Sequence, residues 1–224
     1  MCGRLTNTLG PEEMTRLVGR KLGVEFSETP QADGWNVAPT DPVAAIVSPA
    51  GTPEPRMLRW SFLPPWANEQ RLRRPLFNAR VEGLRDRQQY AGVPIDAEHR
   101  ALVLADGFYE WLHPRSESLR PQPHRFTVDG GTAFAFAAVW TRNGRIGEHP
   151  VESCSIITCP SAENPLVAKI HDRIPAILTE AEELRAWLSD DVAIPHALSL
   201  CRALPAERMG VEAREPGRRD EKQQ

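Results

Sequence analysis

From Pro42 to Thr158 the sequence repeatedly gathers short apolar runs rich in Val, Ile, Leu, Phe and Ala, and breaks each with Pro, Gly or polar residues. Such runs are too short for core helices and carry the residue types that pleated sheets favour. Strands are predicted at Pro42–Ser48 and Arg56–Phe62, joined by a Pro/Gly turn, and again at Arg100–Ala105, Gly107–Trp111, Arg125–Val128, Ala133–Val139 and Cys154–Thr158. The segments 63–80, rich in Pro and Arg, and 112–124 read as loops. Helices are confined to the ends. Pro11 opens an amphipathic one with Met14, Leu17, Val18 and Leu22 on one face and Gly23 behind it. Thr179-Glu-Ala-Glu182 reads as a capping box ahead of a helix that turns Leu184, Trp187 and Leu188 inward, and a shorter helix is predicted over 195–203. The fold class that follows is α+β: a single domain with a curled, mainly antiparallel, barrel-like sheet core and flanking helices.

A chain of 224 residues buries such a core without disulfides or metals. Its net charge of −3 excludes coating of nucleic acid by bulk electrostatics but leaves room for a local basic groove. The cations are almost all Arg, with Lys only at Lys21, Lys169 and Lys222. Three of the four cysteines, Cys154, Cys159 and Cys201, lie in apolar strand-like or helix-like stretches at spacings wrong for a zinc knuckle, and read as small buried hydrophobes. The start of the chain has no signal-like segment and no apolar run approaches membrane length, so a cytoplasmic protein with reduced thiols and no membrane partner is expected. There is no Gly-Lys-Ser/Thr phosphate loop, no Gly-x-Gly-x-x-Gly after a strand and no nucleophile elbow. The six histidines show no metal-ligand spacing, so neither cofactor nor metal is expected. After Pro205 the composition turns charged; residues 1–206 are read as the folded domain and 207–224 as a disordered tail. Nothing in the sequence demands more than a monomer.

Cys2 stands apart from the other cysteines. Removal of Met1, expected before a small residue, leaves Cys2 with a free amine and a thiol on adjacent carbons. The amine has a reference pKa near 8, so a useful fraction is neutral at physiological pH. It can attack an aldehyde to form a Schiff base, and the thiol can then close on the same carbon as a five-membered thiazolidine. The two groups have a very high effective concentration because they share one residue. Alone, a Cys after Met is weak evidence.

Five separated segments add to it: Cys2-Gly-Arg4, Trp35-Asn-Val-Ala-Pro39, Trp60-Ser-Phe-Leu-Pro-Pro-Trp66, Asn78-Ala-Arg-Val-Glu82 with Gly107-Phe-Tyr-Glu-Trp111, and Ile170-His-Asp-Arg-Ile-Pro175. In this order, over about residues 2–178, they resemble the SRAP (SOS response-associated peptidase) family, whose members include proteins that crosslink to abasic sites. The resemblance departs at Ser61, where the family commonly has Gly, and after Pro205, where no closing strand is legible. It implies covalent capture of abasic sites in single-stranded DNA through Cys2, with accompanying lyase and crosslink-reversal chemistry, and peptidase activity limited to removal of what precedes Cys2. It gathers Cys2, Asn78, Glu110 and His171 as the catalytic set. Asn78 would hold the amine or the sugar, Glu110 would shuttle protons, and His171 would protonate the sugar ring oxygen. Arg4, Asn36, Pro39, Trp66, Arg80, Trp111, Thr158 and Arg173 would line the DNA cleft.

Read without the resemblance, these residues have plainer roles. Asn78 is a turn or capping residue, Glu110 an outward-facing strand residue, and His171 structural or exposed. The Arg-rich stretch 71–87, with Arg71, Arg73, Arg74, Arg80, Arg85 and Arg87, is mostly a solvated face. Two other functions stay open. A cysteine peptidase would need a thiolate with His and Asn or Glu. A non-catalytic single-strand binder would need the Arg residues and a stacking Trp, but not Cys2, Glu110 or His171.

Overall fold

The computed structural model describes residues 2–27, 34–70, 72–90, 92–114 and 119–217. In chain order the elements are β1 (Arg4–Asn7), α1 (Pro11–Leu22), β2 (Gly34–Val37), β3 (Pro42–Val47), β4 (Glu54–Trp60), β5 (Asn78–Arg80), β6 (Arg100–Ala105), β7 (Gly107–Leu112), β8 (Gln122–Val128), β9 (Phe134–Asn143), β10 (Val151–Pro160), α2 (Pro165–Ala168), β11 (Arg173–Pro175), β12 (Ile177–Leu178), α3 (Ala181–Leu188), α4 (Ile194–Ser199) and β13 (Met209–Ala213). Single 3-10 turns fill some of the connections.

Strands β3, β4, β10, β9 and β6 pair in a ring and close a barrel, so these five have no free edge. All pairings in the ring are antiparallel except β4 with β10. Strands β3, β6, β9 and β10 are covered on both faces, which is why they read in the sequence as continuous apolar runs rather than alternating ones, whereas β4 keeps Arg56 in solvent. One alternate set, including Ile46, Leu102, Leu104 and Ala137, packs with Met14 and Val18 of α1 and Leu184 and Trp187 of α3. The other set, including Val43, Val47, Val103 and Phe136, packs with Leu5, Phe108 and Phe126 of a second sheet. The fold class expected from the sequence is the one observed.

The second sheet runs β13-β8-β7-β1-β2. Gly107 opens β7 where two neighbours close in: a Cβ there would lie 2.7 Å from Thr6 Oγ1 and 2.9 Å from the Phe126 carbonyl oxygen. Any larger residue pushes β1 or β8 away. Asp106, just before it, holds the end of β1. Its buried carboxylate accepts from Thr6 Oγ1 at 2.5 Å, Thr8 Oγ1 at 2.7 Å, the Leu9 amide at 2.7 Å, and the Thr8 amide.

Several expectations shift. The capping box of α3 sits one residue later than predicted, with Glu180 at the N-cap and Glu183 reaching back. The helix predicted over 195–203 is the shorter α4. The predicted loop 63–80 contains the short strand β5, and β8 begins inside the predicted loop 112–124, of which residues 115–118 lie outside the described residues. The tail is corrected more substantially. Residues 207–217 are ordered, because β13 pairs with β8 from Met209 opposite Val128 to Ala213 opposite His124. Its sequence, Met-Gly-Val-Glu-Ala, has weak strand propensity and gains its order from the open edge of β8. Arg208 pins the entry through Asp129 and Glu180. Residues 218–224 lie outside the described residues. Among the described residues no helix is long and apolar enough to cross a membrane.

Candidate active site

Strand alternation sets the first catalytic candidate. Phe108 and Glu110 share one face of β7, so Glu110 follows Phe108 toward the interior while Tyr109 and Trp111 take the other side. Glu110 is 2% exposed, which corrects the outward-facing reading it would have had in isolation. Strand β1 lies antiparallel beside it with Arg4 opposite Tyr109, which brings Gly3 and Cys2 level with Glu110 and Trp111. Cys2 is 1% exposed and packs in the cluster that includes Leu5, Trp60 and Phe108.

Asn78 arrives from the other sheet. It is a strand residue rather than a turn residue, opposite Ile156 where β5 runs parallel to β10. Its Nδ2 donates to the Cys2 carbonyl oxygen at 2.8 Å. Its Oδ1 is buried and has no hydrogen-bond partner among the described residues. Tyr90 supports this strand from behind: its hydroxyl donates to the Asn78 carbonyl oxygen at 3.4 Å and shares a 3.0 Å hydrogen bond with Ser155 Oγ.

His171 is set by a short helix. Asn164 caps α2 by accepting from the Leu166 and Val167 amides, and the His171 amide donates to the Val167 carbonyl at 2.8 Å. Ser161 Oγ donates to the His171 carbonyl at 2.6 Å. The imidazole Nδ1 accepts from the Arg173 amide at 2.9 Å and lies 3.0 Å from an Asp172 carboxylate oxygen. An Nδ1 that accepts leaves the proton of the neutral ring on Nε2.

The electrostatics tie these groups together. Burial pushes the Glu110 carboxyl up to about 7, against the pull of the positive charge at the start of the chain. Burial, then the neighbouring Glu110, pushes the Cys2 thiol well above the usual thiol range. His171 is held below the ordinary imidazole value, first by burial and next by that same positive charge. The same positive charge acts on Cys2, Glu110 and His171, and Asn78 holds the Cys2 carbonyl.

The expected DNA-facing residues divide. Arg80 is exposed, lies opposite Thr158, and makes no hydrogen bond to another described residue. Arg173 is 7% exposed and already engaged, with a bidentate pair to Glu82 at 2.7 and 2.9 Å and a 2.5 Å bond to the Thr158 carbonyl. Thr158 is buried and donates to the Ala79 carbonyl, so it and Arg173 brace the strand carrying Asn78 and Arg80. Arg4 is half-buried and donates to the Gly3 carbonyl at 2.7 Å. Asn36 donates to the Gly217 carbonyl at 2.9 Å. Pro39 is half-buried in a turn whose next residue, Thr40, takes φ 82°, a conformation that favours glycine. Trp111 is half-buried with its ring centroid 6.2 Å from that of Tyr109. Trp66 is 51% exposed. Arg73, Arg74, Arg85 and Arg87 are exposed, and Arg71 lies outside the described residues.

Sequence reading passed over Asp106, Tyr90 and the pairing role of Glu82. Glu82 closes a motif already singled out, so a signal for it existed. Asp106 and Tyr90 had none, since their partners are distant in the chain. No group of His, Cys, Asp or Glu among the described residues is arranged to hold a metal ion.

Residues 1–214 match the family described as SOS response associated peptidase (SRAP). The chain belongs to that family. Among relatives, the abasic site processing protein YoqW of Bacillus subtilis is 32% identical over 212 residues, covering 93% of this chain and 90% of its own. The abasic site processing protein YedK of Escherichia coli is 27% identical over 194 residues, 86% of this chain and 82% of that one. A crystallised protein from Bordetella bronchiseptica shares the SRAP-type fold at a TM-score of 0.76 and 22% identity, covering 96% of this chain and 100% of that chain.

Proposed function

We propose that this SRAP chain processes abasic sites in single-stranded DNA, and that it does so by forming a covalent crosslink through Cys2 once Met1 is removed. The observation that carries the proposal is the meeting of Cys2, Asn78, Glu110 and His171 around the start of the chain, two of them almost fully buried. The relatives' names agree with it.

The chemistry balances without a cofactor. His171, with its proton on Nε2, is suited to polarise the ring oxygen of the abasic sugar by a hydrogen bond while that oxygen gains a proton and the anomeric hydroxyl loses its own, which opens the ring to the aldehyde. The Cys2 amine adds to C1′, water leaves with a proton supplied by Glu110, and an imine results. The Cys2 thiol then adds across the C=N bond: sulfur bonds to C1′, and the thiol proton passes through Glu110 to nitrogen. A carboxyl held near 7 gives and takes protons at neutral pH with little cost in either direction. Asn78 keeps the Cys2 carbonyl fixed and offers its free Oδ1 to the amine. The imine also acidifies C2′, so removal of that proton by a neighbouring base with departure of the 3′ phosphate is the accompanying lyase step, and ring opening in reverse releases the crosslink.

Proteolysis is assigned only to clearance of Met1, as the resemblance implies.

Incubation with an oligonucleotide bearing one abasic site, followed by a denaturing gel, tests the proposal. A shifted band that Cys2→Ala abolishes is expected. Free species only would reject covalent capture and leave a salt-sensitive binder, while a band retained by Cys2→Ala would move the chemistry to another residue.

A further inference from the structure

One ring on the surface is presented with unusual care. Trp66 is half-exposed at the tip of the turn Pro64-Pro-Trp-Ala67, closed by an Ala67 amide bond to the Pro64 carbonyl at 2.9 Å. Beneath it, Asn143, completely buried, donates through Nδ2 to the Pro64 carbonyl at 2.6 Å and to the Ala67 carbonyl at 3.0 Å. Its Oδ1 accepts from the Arg145 amide, so its orientation is fixed. Ser153, also buried, accepts from the Leu63 amide at 2.8 Å through Oγ. Leu63 and Ala67 seal the turn's underside in a small apolar cluster with Ile146. Two buried polar side chains and a separate patch of core thus hold a turn whose outward product is one aromatic face. A large apolar ring left in water, on backbone already ordered, is a stacking surface whose entropy of ordering is spent in folding rather than in binding.

Its position is also informative. Ser153 and Ile156 lie on one strand, three residues and about 10 Å apart, and Ile156 faces Asn78 while Thr158 faces Arg80. Strand β10 therefore lines up the Trp66 turn, Asn78 and Arg80 in that order. The turn that carries Trp66 is thus anchored on the same strand that Asn78 pairs with, about three residues of strand away.

We infer that Asn143 and Ser153 are positioning residues for single-stranded DNA, acting through Trp66: they hold the 64–67 turn so that the indole stacks on a base beside the captured nucleotide. The inference rests on the single-stranded DNA reading above but not on its covalent step. Fluorescence anisotropy with an oligonucleotide carrying one tetrahydrofuran residue, an abasic analogue without an aldehyde, reads binding alone. Base stacking on an aromatic is worth about tenfold in affinity. Asn143→Ala is expected to raise the half-saturating protein concentration by about that factor, as Trp66→Ala does, and the double variant by no more than either single. Ser153→Ala, which removes only the bond to Leu63, is expected to raise it about threefold and to have no effect in the Trp66→Ala background. In crosslinking to a true abasic site, the rate at saturating DNA should stay within about twofold for both variants, so the defect lies in half-saturation. Should Asn143→Ala fail to fold, the Ser153 and Trp66 pair completes the same cycle. Multiplicative effects in the double variants, or unchanged half-saturation in folded single variants, overturn the inference. Absence of any covalent band with the wild-type protein would sink the crosslinking proposal while leaving this measurement intact.

Discussion

In the proposed chemistry Glu110 moves the protons, and its burial has a consequence for stability that can be measured without DNA. A carboxyl with an ordinary value of 4.5 that is held near 7 in the fold binds its proton more tightly folded than unfolded. Stability then falls as pH rises from about 4.5 to 7, because the unfolded chain releases a proton that the folded chain retains, and the penalty is complete above 7. Its full size is on the order of 3 kcal/mol, at 1.36 kcal/mol for each pH unit. Glu110→Gln carries no such penalty. It is expected to unfold at higher urea than the wild type at about pH 8 and at similar urea near pH 4, while its crosslinking rate falls by about a hundredfold. A wild-type profile parallel to that of Glu110→Gln at both pH values would mean that Glu110 is not desolvated. Arg173 makes the converse point. It sits in a family motif, yet its guanidinium is committed to Glu82 and Thr158. Arg173→Ala should therefore act on stability first, by about 3 kcal/mol, because it strips partners from a buried carbonyl and frees an acid.

At the level of elements, the site depends on how β1 is docked. Asp106 receives its bonds from Thr6, Thr8 and Leu9, and Gly107 makes room for Thr6. Asp106→Ala leaves two amides and two hydroxyls without their acceptor and is expected to lower stability by about 3 kcal/mol. Since β1 carries Cys2 at its start, crosslinking should fall with it; urea unfolding beside a gel assay checks both, and full stability in Asp106→Ala would remove the clamp from the account. The barrel strands were legible in the sequence because, buried on both faces, β3, β6, β9 and β10 are continuous apolar runs. The strands that build the site were not. Arg4-Leu-Thr-Asn7 and Asn78-Ala-Arg80 are short and half polar, and only their neighbours make them strands. Cys2, Asn78, Glu110 and His171 were proposed from family motifs alone, since Glu110 or His171 read by itself pointed elsewhere. Asp106 and Asn143 left no trace, because their meaning lies in contacts across roughly a hundred residues of chain that no local pattern records.

The whole molecule carries a net charge of −3 but exposes Arg73, Arg74, Arg80, Arg85 and Arg87, of which Arg80 follows Asn78 on β5. Charge placed locally, not in bulk, should give single-stranded DNA binding that weakens with salt, with a slope of about −0.7 in log–log terms for each phosphate neutralised. Arg80→Ala is expected to flatten that slope by about this amount and to leave unfolding unchanged, since the side chain makes no hydrogen bond to a described neighbour; an unaltered slope would take Arg80 out of the groove. The central claim, that a terminal aminothiol captures a sugar aldehyde, is most directly tested by the intact mass of the adduct formed with abasic single-stranded DNA in the absence of any reductant. The expected mass is that of the protein lacking Met1 plus that of the DNA less one water, with the modification on the peptide that begins at Cys2. An adduct that keeps Met1, sits on another residue, or survives only after borohydride reduction would contradict it.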